Sequence, residues 1–96
     1  MFIKIHKDKH SEVVAVSDEN LIGKTFEEDG KIINVNERFY KGEKMEDNEA
    51  GEILINAKNI NAVGEESVKL CVKLGLIKEE NILIIGGIPH AQVIST

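Results

Sequence analysis

The chain has 96 residues, which is the size of a single domain, and we expect residues 1–96 to fold as one unit. Its formal net charge is −5, which disfavours a protein that grips a nucleic-acid backbone and predicts no DNA partner. The one cysteine excludes an internal disulfide, and the chain begins with a strand-like pattern instead of a signal peptide, so we expect a cytoplasmic protein.

The spacing of apolar residues, and the turn residues between them, predict the secondary structure. In chain order we expect strands over 2–7 and 12–16, a helical turn over 19–22, strands over 25–26 and 32–35, a turn or strand end over 39–42, a helix over 48–58, a short strand or extended link over 59–63, a helix over 65–74, and strands over 82–85 and 88–94. Asp29-Gly30 and Gly86-Gly87 provide the tight turns of two hairpins. Hairpins and helices come in blocks, which is typical of α+β proteins. The predicted fold is a two-layer α/β sandwich, in which a mostly antiparallel sheet is covered on one face by two helices.

Polar residues and glycines mark where the predicted helices begin and end. Ser17 and Asp18 can cap the helical turn at 19–22, and Asp47 can cap the first long helix, because their oxygens accept free amide hydrogens. Gly75 is expected to end the second long helix in the left-handed conformation.

The last sixteen residues, 81–96, contain no Asp, Glu, Lys or Arg, whereas the rest of the chain is densely charged. Such a run predicts two buried strands joined by a tight turn. This hairpin is the best candidate for a ligand or partner site, because glycine amides can face an anion and a histidine can exchange a proton near neutral pH. The candidate residues are Gly86, Gly87, Pro89, His90 and Gln92. The alternative is a structural turn in which His90 and Gln92 bond nearby backbone groups.

Asp18, Lys24 and Tyr40 are further candidate binding residues. Gly23-Lys24-Thr25 is similar to the end of a phosphate loop, but Asp18 replaces the earlier glycine and the segment follows a helical turn, so we expect no nucleotide site. Asp18 is then a helix cap. Tyr40 lies in the segment 38–41, where cations flank aromatic rings as in base stacking or protein hot spots, with core packing as the alternative.

His6, Asp8, His10 and Glu12 alternate along the chain, a spacing that could gather zinc ligands on one strand face. A turn is predicted at 8–11, so the four side chains are expected to scatter. We therefore predict no metal site.

Two features of the predicted helix at 65–74 have structural explanations. Its first amides could bind an anion, but Glu65 and Glu66 already occupy the positive end, so capping is the favoured interpretation. Cys71 lies in the middle of this helix without a basic neighbour, and we expect it to be inert core packing.

Four segments, spread over almost the whole chain, together resemble one family. They are 17–26 (SDENLIGKTF), 38–43 (RFYKGE), 61–68 (NAVGEESV) and 86–92 (GGIPHAQ). In this order they are similar to the archaeal domain-of-unknown-function family 424. The resemblance implies an archaeal cytoplasmic protein with a two-layer α/β sandwich, no enzyme activity, and a loose association with translation genes.

The favoured function is a non-catalytic binding or adaptor module for a protein or RNA partner, linked to translation or RNA processing. The alternative is a small enzyme or small-molecule binder centred on the Gly86-Gly87-Ile88-Pro89-His90 turn, which needs a carboxylate within about 3 Å of a ring nitrogen of His90. A third hypothesis is a homodimer that pairs a free sheet edge, where Pro89 would blunt the strand on which it lies because it lacks an amide donor. No cofactor and no membrane association is expected.

Overall fold

The computed structural model describes residues 1–94 and has the α+β fold that the sequence predicts, built on a six-stranded mixed sheet. The strands, in chain order, are β1 (Phe2–Lys7), β2 (Glu12–Ser17), β3 (Thr25–Glu28), β4 (Lys31–Asn34), β5 (Glu43–Lys44), β6 (Asn59–Val63), β7 (Leu83–Ile85) and β8 (Ile88–Ile94). The helices are α1 (Glu37–Tyr40), α2 (Asp47–Ile55) and α3 (Glu65–Lys73), with 3₁₀ turns at Glu19–Leu21 and Glu79–Asn81. None of the helices in this part of the chain is long and apolar enough to cross a membrane.

The main sheet has the strand order β5-β1-β2-β6-β8-β7, and β3 pairs with β4 in a separate two-stranded sheet. Every neighbouring pair is antiparallel except β2 and β6, which run parallel with Val16 opposite Ala62. The carboxyl ends of β2 and β6 therefore lie side by side, although 46 positions separate Ser17 from Val63 in the sequence. This arrangement brings together two chain segments that the sequence does not show as neighbours.

Helices α2 and α3 cover one face of the main sheet, as predicted. Leu54 of α2 and Cys71 of α3 are fully buried against Val14 and Ile60, which point to this face from the two central strands. The strands alternate inward and outward side chains, so the residues between these positions point to the opposite face.

The opposite face is covered in part by the β3–β4 hairpin and α1. The sequence predicts this hairpin, but it does not predict that the second face of the sheet is covered. Val35 and Tyr40 are buried there against Ala15 and Val63. The two clusters of buried side chains share the central strands, so β2 and β6 are apolar on both faces. Such double coverage explains why Val14, Ala15 and Val16 are buried in succession.

The predicted turns and the end of α3 are confirmed. Asp29 and Gly30 have φ of 51° and 81°, and Gly86 and Gly87 have φ of 59° and 79°, as the tight turns of two-residue hairpins require. After α3, Gly75 has a φ of 76° and the amide of residue 76 donates to the carbonyl of residue 71 at 2.9 Å, which is the expected glycine-terminated helix end.

Two predicted elements differ from the structure. Residues 39–42 were expected to form a turn or a strand end, but Phe39 and Tyr40 belong to α1, because the side-chain oxygen of Asn36 accepts the amide hydrogen of Phe39 at 2.8 Å and caps a helical turn. Helix α2 has Glu46 as its N-cap residue instead of Asp47, and it ends at Ile55, short of the predicted 58.

The C-terminal hairpin is less buried than its apolar sequence predicts. Leu83 and Ile84 are 48% and 55% exposed because β7 is the last strand of the sheet, and Ile94 at the end of β8 is 74% exposed. Pro89 was expected on an edge strand, and this is wrong: it lies on β8, between β6 and β7. The Gly64 amide donates to the Pro89 carbonyl at 2.9 Å, and a full pair would also need a Pro89 amide to donate to the Gly64 carbonyl. Proline has no such amide, but the Gly64 carbonyl is still satisfied because it accepts the amide hydrogen of Val68 in the first turn of α3. Residues 95 and 96, the last two of the uncharged run, lie outside the described residues.

Candidate functional site

His90 is the most chemically interesting residue of the predicted site. It lies on β8, opposite Val63 on one side and Leu83 on the other, and points to the face that the β3–β4 hairpin partly covers. Its Nε2 atom lies 3.0 Å from Oδ1 of Asn61, one strand away. An amide oxygen only accepts, so this contact keeps the proton on Nε2 and leaves Nδ1 as the unprotonated nitrogen of the neutral ring.

Burial lowers the pKa of His90, because removing the ring from water disfavours the charged imidazolium. Within residues 1–94, no carboxylate is hydrogen-bonded to the ring and Nδ1 makes no hydrogen bond. A shallow pocket of about 240 Å³ lies in front of His90, with Leu83 and Gln92 in its lining. The structure therefore brings His90 and Gln92 together, and it supplies Asn61, which sequence analysis did not single out, as the partner that orients the ring.

The glycine turn is occupied by a contact within the chain. The amide of Gly86 donates to Oε1 of Glu28 at 2.8 Å, so the hydrogen that could face an anionic ligand is bound to a carboxylate. A Cβ on Gly86 would lie 3.3 Å from the Cβ of Phe26, which shows how closely the β3–β4 hairpin approaches the turn. Gly87 has open space around its Cα. The turn therefore holds the hairpin to β7, and only Gly87 remains freely accessible.

Asp18 is buried and caps a helix, but not the one that sequence analysis expected. Its side chain makes no capping bond to the 3₁₀ turn that follows it. Instead, its carboxylate accepts the amide hydrogens of Glu66 at 3.0 Å and Ser67 at 2.8 Å, and the hydroxyl hydrogen of Ser67 at 2.8 Å. A carboxylate at the start of α3 also interacts favourably with the helix dipole. Asp18 therefore occupies the position where α3 could have bound an anion.

Gly64 makes room for this carboxylate. Its φ is 106°, and a Cβ at this position would lie 2.3 Å from Cγ of Asp18, which no real contact permits. The backbone amide of Asp18 also donates to the carbonyl of Val63 at 3.2 Å. The ends of β2 and β6 and the start of α3 are thus joined by one buried side chain.

An acidic cleft of about 540 Å³ opens in front of this junction. Its lining residues are Asp18, Glu19, Asn20, Leu21, Glu65, Glu66 and Ile88. Ligands of α/β sheets commonly bind outside the carboxyl ends of parallel strands, and this cleft is the corresponding position here. The carboxylates that surround it disfavour phosphate and other anions.

Lys24 and Tyr40 lie in different environments. Lys24 is exposed, and its side chain makes no hydrogen bond or ion pair within the described part of the chain; its carbonyl accepts the amide hydrogen of Val35 at 2.9 Å and extends the β3–β4 hairpin. The segment thus continues into strand β3, whereas a phosphate loop continues into a helix. Tyr40 is only 5% exposed and packs edge-on against Phe39 with ring centroids 4.8 Å apart. Burial raises the pKa of Tyr40.

Three of the four alternating residues of the first hairpin make local side-chain contacts, and His10 contributes its backbone amide. Nε2 of His6 lies 2.8 Å from the carbonyl oxygen of Phe39, and the two rings stack with centroids 4.5 Å apart. Asp8 accepts the amide hydrogen of His10 at 2.8 Å in the turn, which with neighbouring amide bonds lowers its pKa. Glu12 lies 3.8 Å from the ammonium of Lys7. Among the described residues, no three His, Cys, Asp or Glu side chains are grouped as ligands of one metal ion.

Comparisons with known proteins agree with the resemblance drawn from the four segments. A crystal structure described as an uncharacterized conserved protein from Methanopyrus kandleri, an archaeon, is similar to this chain with a TM-score of 0.84 and 30% sequence identity, over 99% of this chain and 92% of the other. A search of curated proteins gives no match. The model of the family described as Protein of unknown function (DUF424) matches residues 5–95. The chain therefore belongs to the DUF424 family.

Proposed function

We propose that this protein is a non-catalytic binding module of the cytoplasm that joins a macromolecular partner in translation or RNA processing. The observation that supports a binding role is the exposure of large apolar side chains on the C-terminal hairpin, with Leu83 48% and Ile84 55% exposed. They lie at the edge of the sheet, where natural proteins usually avoid exposed apolar strands because these aggregate. A partner that covers them explains why they are tolerated.

The charge distribution favours a protein partner over RNA. The formal net charge is −5, and the cleft of about 540 Å³ in front of Asp18 is lined by carboxylates, both of which repel a phosphate backbone. Lys24 and Arg38 are exposed, but Lys24 precedes β3 whereas Arg38 lies in α1, so they do not belong to one element. The assignment to translation or RNA processing rests on the loose gene association that the family resemblance implies.

A pull-down tests this proposal. The tagged full chain is used as bait in an archaeal lysate, with and without ribonuclease, beside a His90→Ala bait that is matched in expression and fold. A specific partner that ribonuclease does not remove supports a protein adaptor, and one that it removes supports an RNA-linked role. If the bait retains neither protein nor RNA above the level of an unrelated acidic control protein, the binding function is refuted.

The second candidate function is a small-molecule binder or small enzyme at His90. It is favoured by one observation, the orientation of the His90 ring by Asn61 at 3.0 Å beside a pocket of about 240 Å³. A neutral imidazole whose Nδ1 makes no hydrogen bond to residues 1–94 can accept a proton or a hydrogen bond from a ligand. A fragment screen by NMR on the wild type and on His90→Ala tests it: hits that shift Asn61, His90 and Gln92 in the wild type and vanish in the variant support the site. An absence of hits there refutes it.

A further inference from the structure

The outer edge of β7 is open to solvent. Among the described residues, β7 is the terminal strand of the six-stranded sheet. The two-residue turn makes Ile85 and Ile88 a hydrogen-bonded pair, so the next pair, Ile84 and Pro89, directs its backbone groups outward. The bond from Gly64 to the Pro89 carbonyl, on the β6 side, agrees with this phase of the ladder. The amide hydrogen and the carbonyl of Ile84 therefore point to the free edge.

The side chain of Ile84 continues into an apolar groove. It is 55% exposed and lies with Pro89 at the floor of a groove of about 400 Å³, which Val68 and Val72 of α3 border on one side. An extended chain that paired with Ile84 would place every second side chain over this groove, because side chains alternate along a strand. The geometry thus offers backbone pairing and a side-chain pocket at the same place.

The charges around the edge are predominantly negative. Glu65 and Glu79 lie at the rim of the groove with a single cation, Lys69. At the turn end of β7, Glu28 holds the amide of Gly86. A segment with basic residues is complementary to these carboxylates, and an acidic segment is not.

The same charges disfavour a second copy of this chain. An antiparallel pair of β7 strands centred on Ile84 would bring Glu28, at the turn end of one copy, towards Glu79 and Glu80, at the start of the strand in the other. The chain as a whole carries a net charge of −5, which adds to the repulsion. Homodimerisation through this edge is therefore less favourable than binding of a basic partner.

We propose that the β7 edge binds an extended segment of a partner protein, in which apolar residues alternate with Lys or Arg, by strand addition. The apolar residues lie over the groove beside Ile84, whereas the basic residues point to the opposite face of the added strand, on the side of Glu28, and those at the ends of the segment reach Glu79 at the start of β7. This inference rests on the proposed binding function and names its site and the chemistry of its partner.

Synthetic peptides test the inference on the full chain. The probe is a ten-residue peptide of alternating Lys and Ile, and the matched controls are alternating Glu and Ile and the Lys–Ile peptide with proline at two central positions. NMR of the ¹⁵N-labelled protein is expected to show the largest shifts at 82–86, with amide exchange of Ile84 slowed at least about tenfold at saturation. The Lys–Ile peptide is expected to bind at least about tenfold more tightly than either control.

Two pairs of variants distinguish specific binding at the β7 edge from non-specific binding elsewhere on the surface. Ile84→Thr is expected to weaken the Lys–Ile peptide at least about fivefold, whereas Ile94→Thr, at an exposed isoleucine of the neighbouring strand, leaves it unchanged. Glu79→Gln is expected to weaken it about two- to fivefold and to reduce its salt dependence, unlike Glu52→Gln on α2. Circular dichroism verifies that each variant is folded.

The inference is overturned if the shifts lie elsewhere, if the Glu–Ile peptide binds equally well, or if Ile84→Thr and Ile94→Thr behave alike. It is also overturned if sedimentation and concentration-dependent shifts at 82–86 show a dimer through β7 without peptide. These outcomes leave the broader binding function standing when the lysate pull-down retains a partner. A pull-down without any partner refutes that function separately.

Discussion

Replacing Asp18 tests whether one buried carboxylate joins the two central strands to α3. Asp18→Ala removes the acceptor of three hydrogen bonds, from the amides of Glu66 and Ser67 and from the Ser67 hydroxyl. Loss of a helix cap alone costs about 0.5–2 kcal/mol, and buried donors left without a charged acceptor add to it. We expect a decrease of about 3 kcal/mol in the free energy of unfolding. Asp18→Asn keeps one acceptor oxygen and is expected to lose about half as much.

The assay is urea unfolding followed by circular dichroism, with Asp47→Ala as the matched control. Asp47 is the first residue of a helix of the same length, α2, but it is exposed and makes no hydrogen bond through its side chain within the described residues. Its loss is expected to cost at most about 1 kcal/mol, from the helix dipole. A domain of this size has a stability of roughly 5–14 kcal/mol, so both variants remain folded. If Asp18→Ala costs no more than Asp47→Ala, the assigned role of Asp18 is refuted.

A double-mutant cycle with Ser67→Ala isolates the hydroxyl contact. Ser67 is fully buried and its hydroxyl donates to the same carboxylate oxygen as its amide. Residues in one hydrogen-bond network have interaction energies of about 0.5–3 kcal/mol, and we expect this pair to lie within that range. Strict additivity would show that the side chains of Asp18 and Ser67 do not stabilise each other.

Three further predictions concern single positions. Gly64→Ala is expected to lower the free energy of urea unfolding by at least about 3 kcal/mol, because the new Cβ would lie 2.3 Å from Cγ of Asp18. Gly75→Ala is the control: a Cβ there meets nothing within 4 Å, so it costs only the strain of a positive φ, about 1 kcal/mol. Equal losses in the two variants would contradict the clash. The pKa of His90 is lowered by burial, so the unfolded chain binds more protons, and the contribution of His90 to stability is complete above its unfolded pKa and decreases as the pH falls below it. His90→Gln should flatten the unfolding free energy between about pH 5 and 7, and an unchanged slope would refute this. Burial raises the pKa of Cys71 to about 11. Ellman's reagent at pH 8 is therefore expected to modify this thiol only as fast as the protein unfolds, and rapidly in urea. Fast labelling of the folded protein would contradict this prediction.

The sequence predicts best the features that neighbouring residues decide. The hairpin turns at Asp29-Gly30 and Gly86-Gly87 depend on backbone angles that few other residue pairs adopt, and the end of α3 depends on Gly75 in the same way. The strands at 2–7, 59–63 and 88–94 have the predicted bounds. Helix α1 escaped prediction although its signal is local, since the capping residue Asn36 lies three positions before Phe39.

The features that depend on strand order could not be predicted. The uncharged C-terminal run indicates burial, but which strand lies at the edge is a property of the whole sheet, and β7 is exposed for that reason. Pro89 was predicted at an edge for the same reason, since the order of the strands was not known. Asp18 reads locally as the cap of the turn that follows it, and only the parallel pairing of β2 with β6 places it at α3, 49 positions away from Ser67. Asn61 reaches His90 through strand pairing as well.

The parallel pair at the centre of the sheet also explains why the binding surface is expected at its edge. In α/β sheets, anionic ligands commonly bind where a helix begins beside the carboxyl ends of parallel strands. Here the carboxylate of Asp18 accepts the amides that would hold such a ligand, and Gly64 is shaped around it. Glu65 and Glu66 add negative charge in front of the same helix end. Because the protein's own side chain fills this position, we place the binding surface at the outer edge of β7, where unpaired backbone groups and exposed apolar side chains lie together.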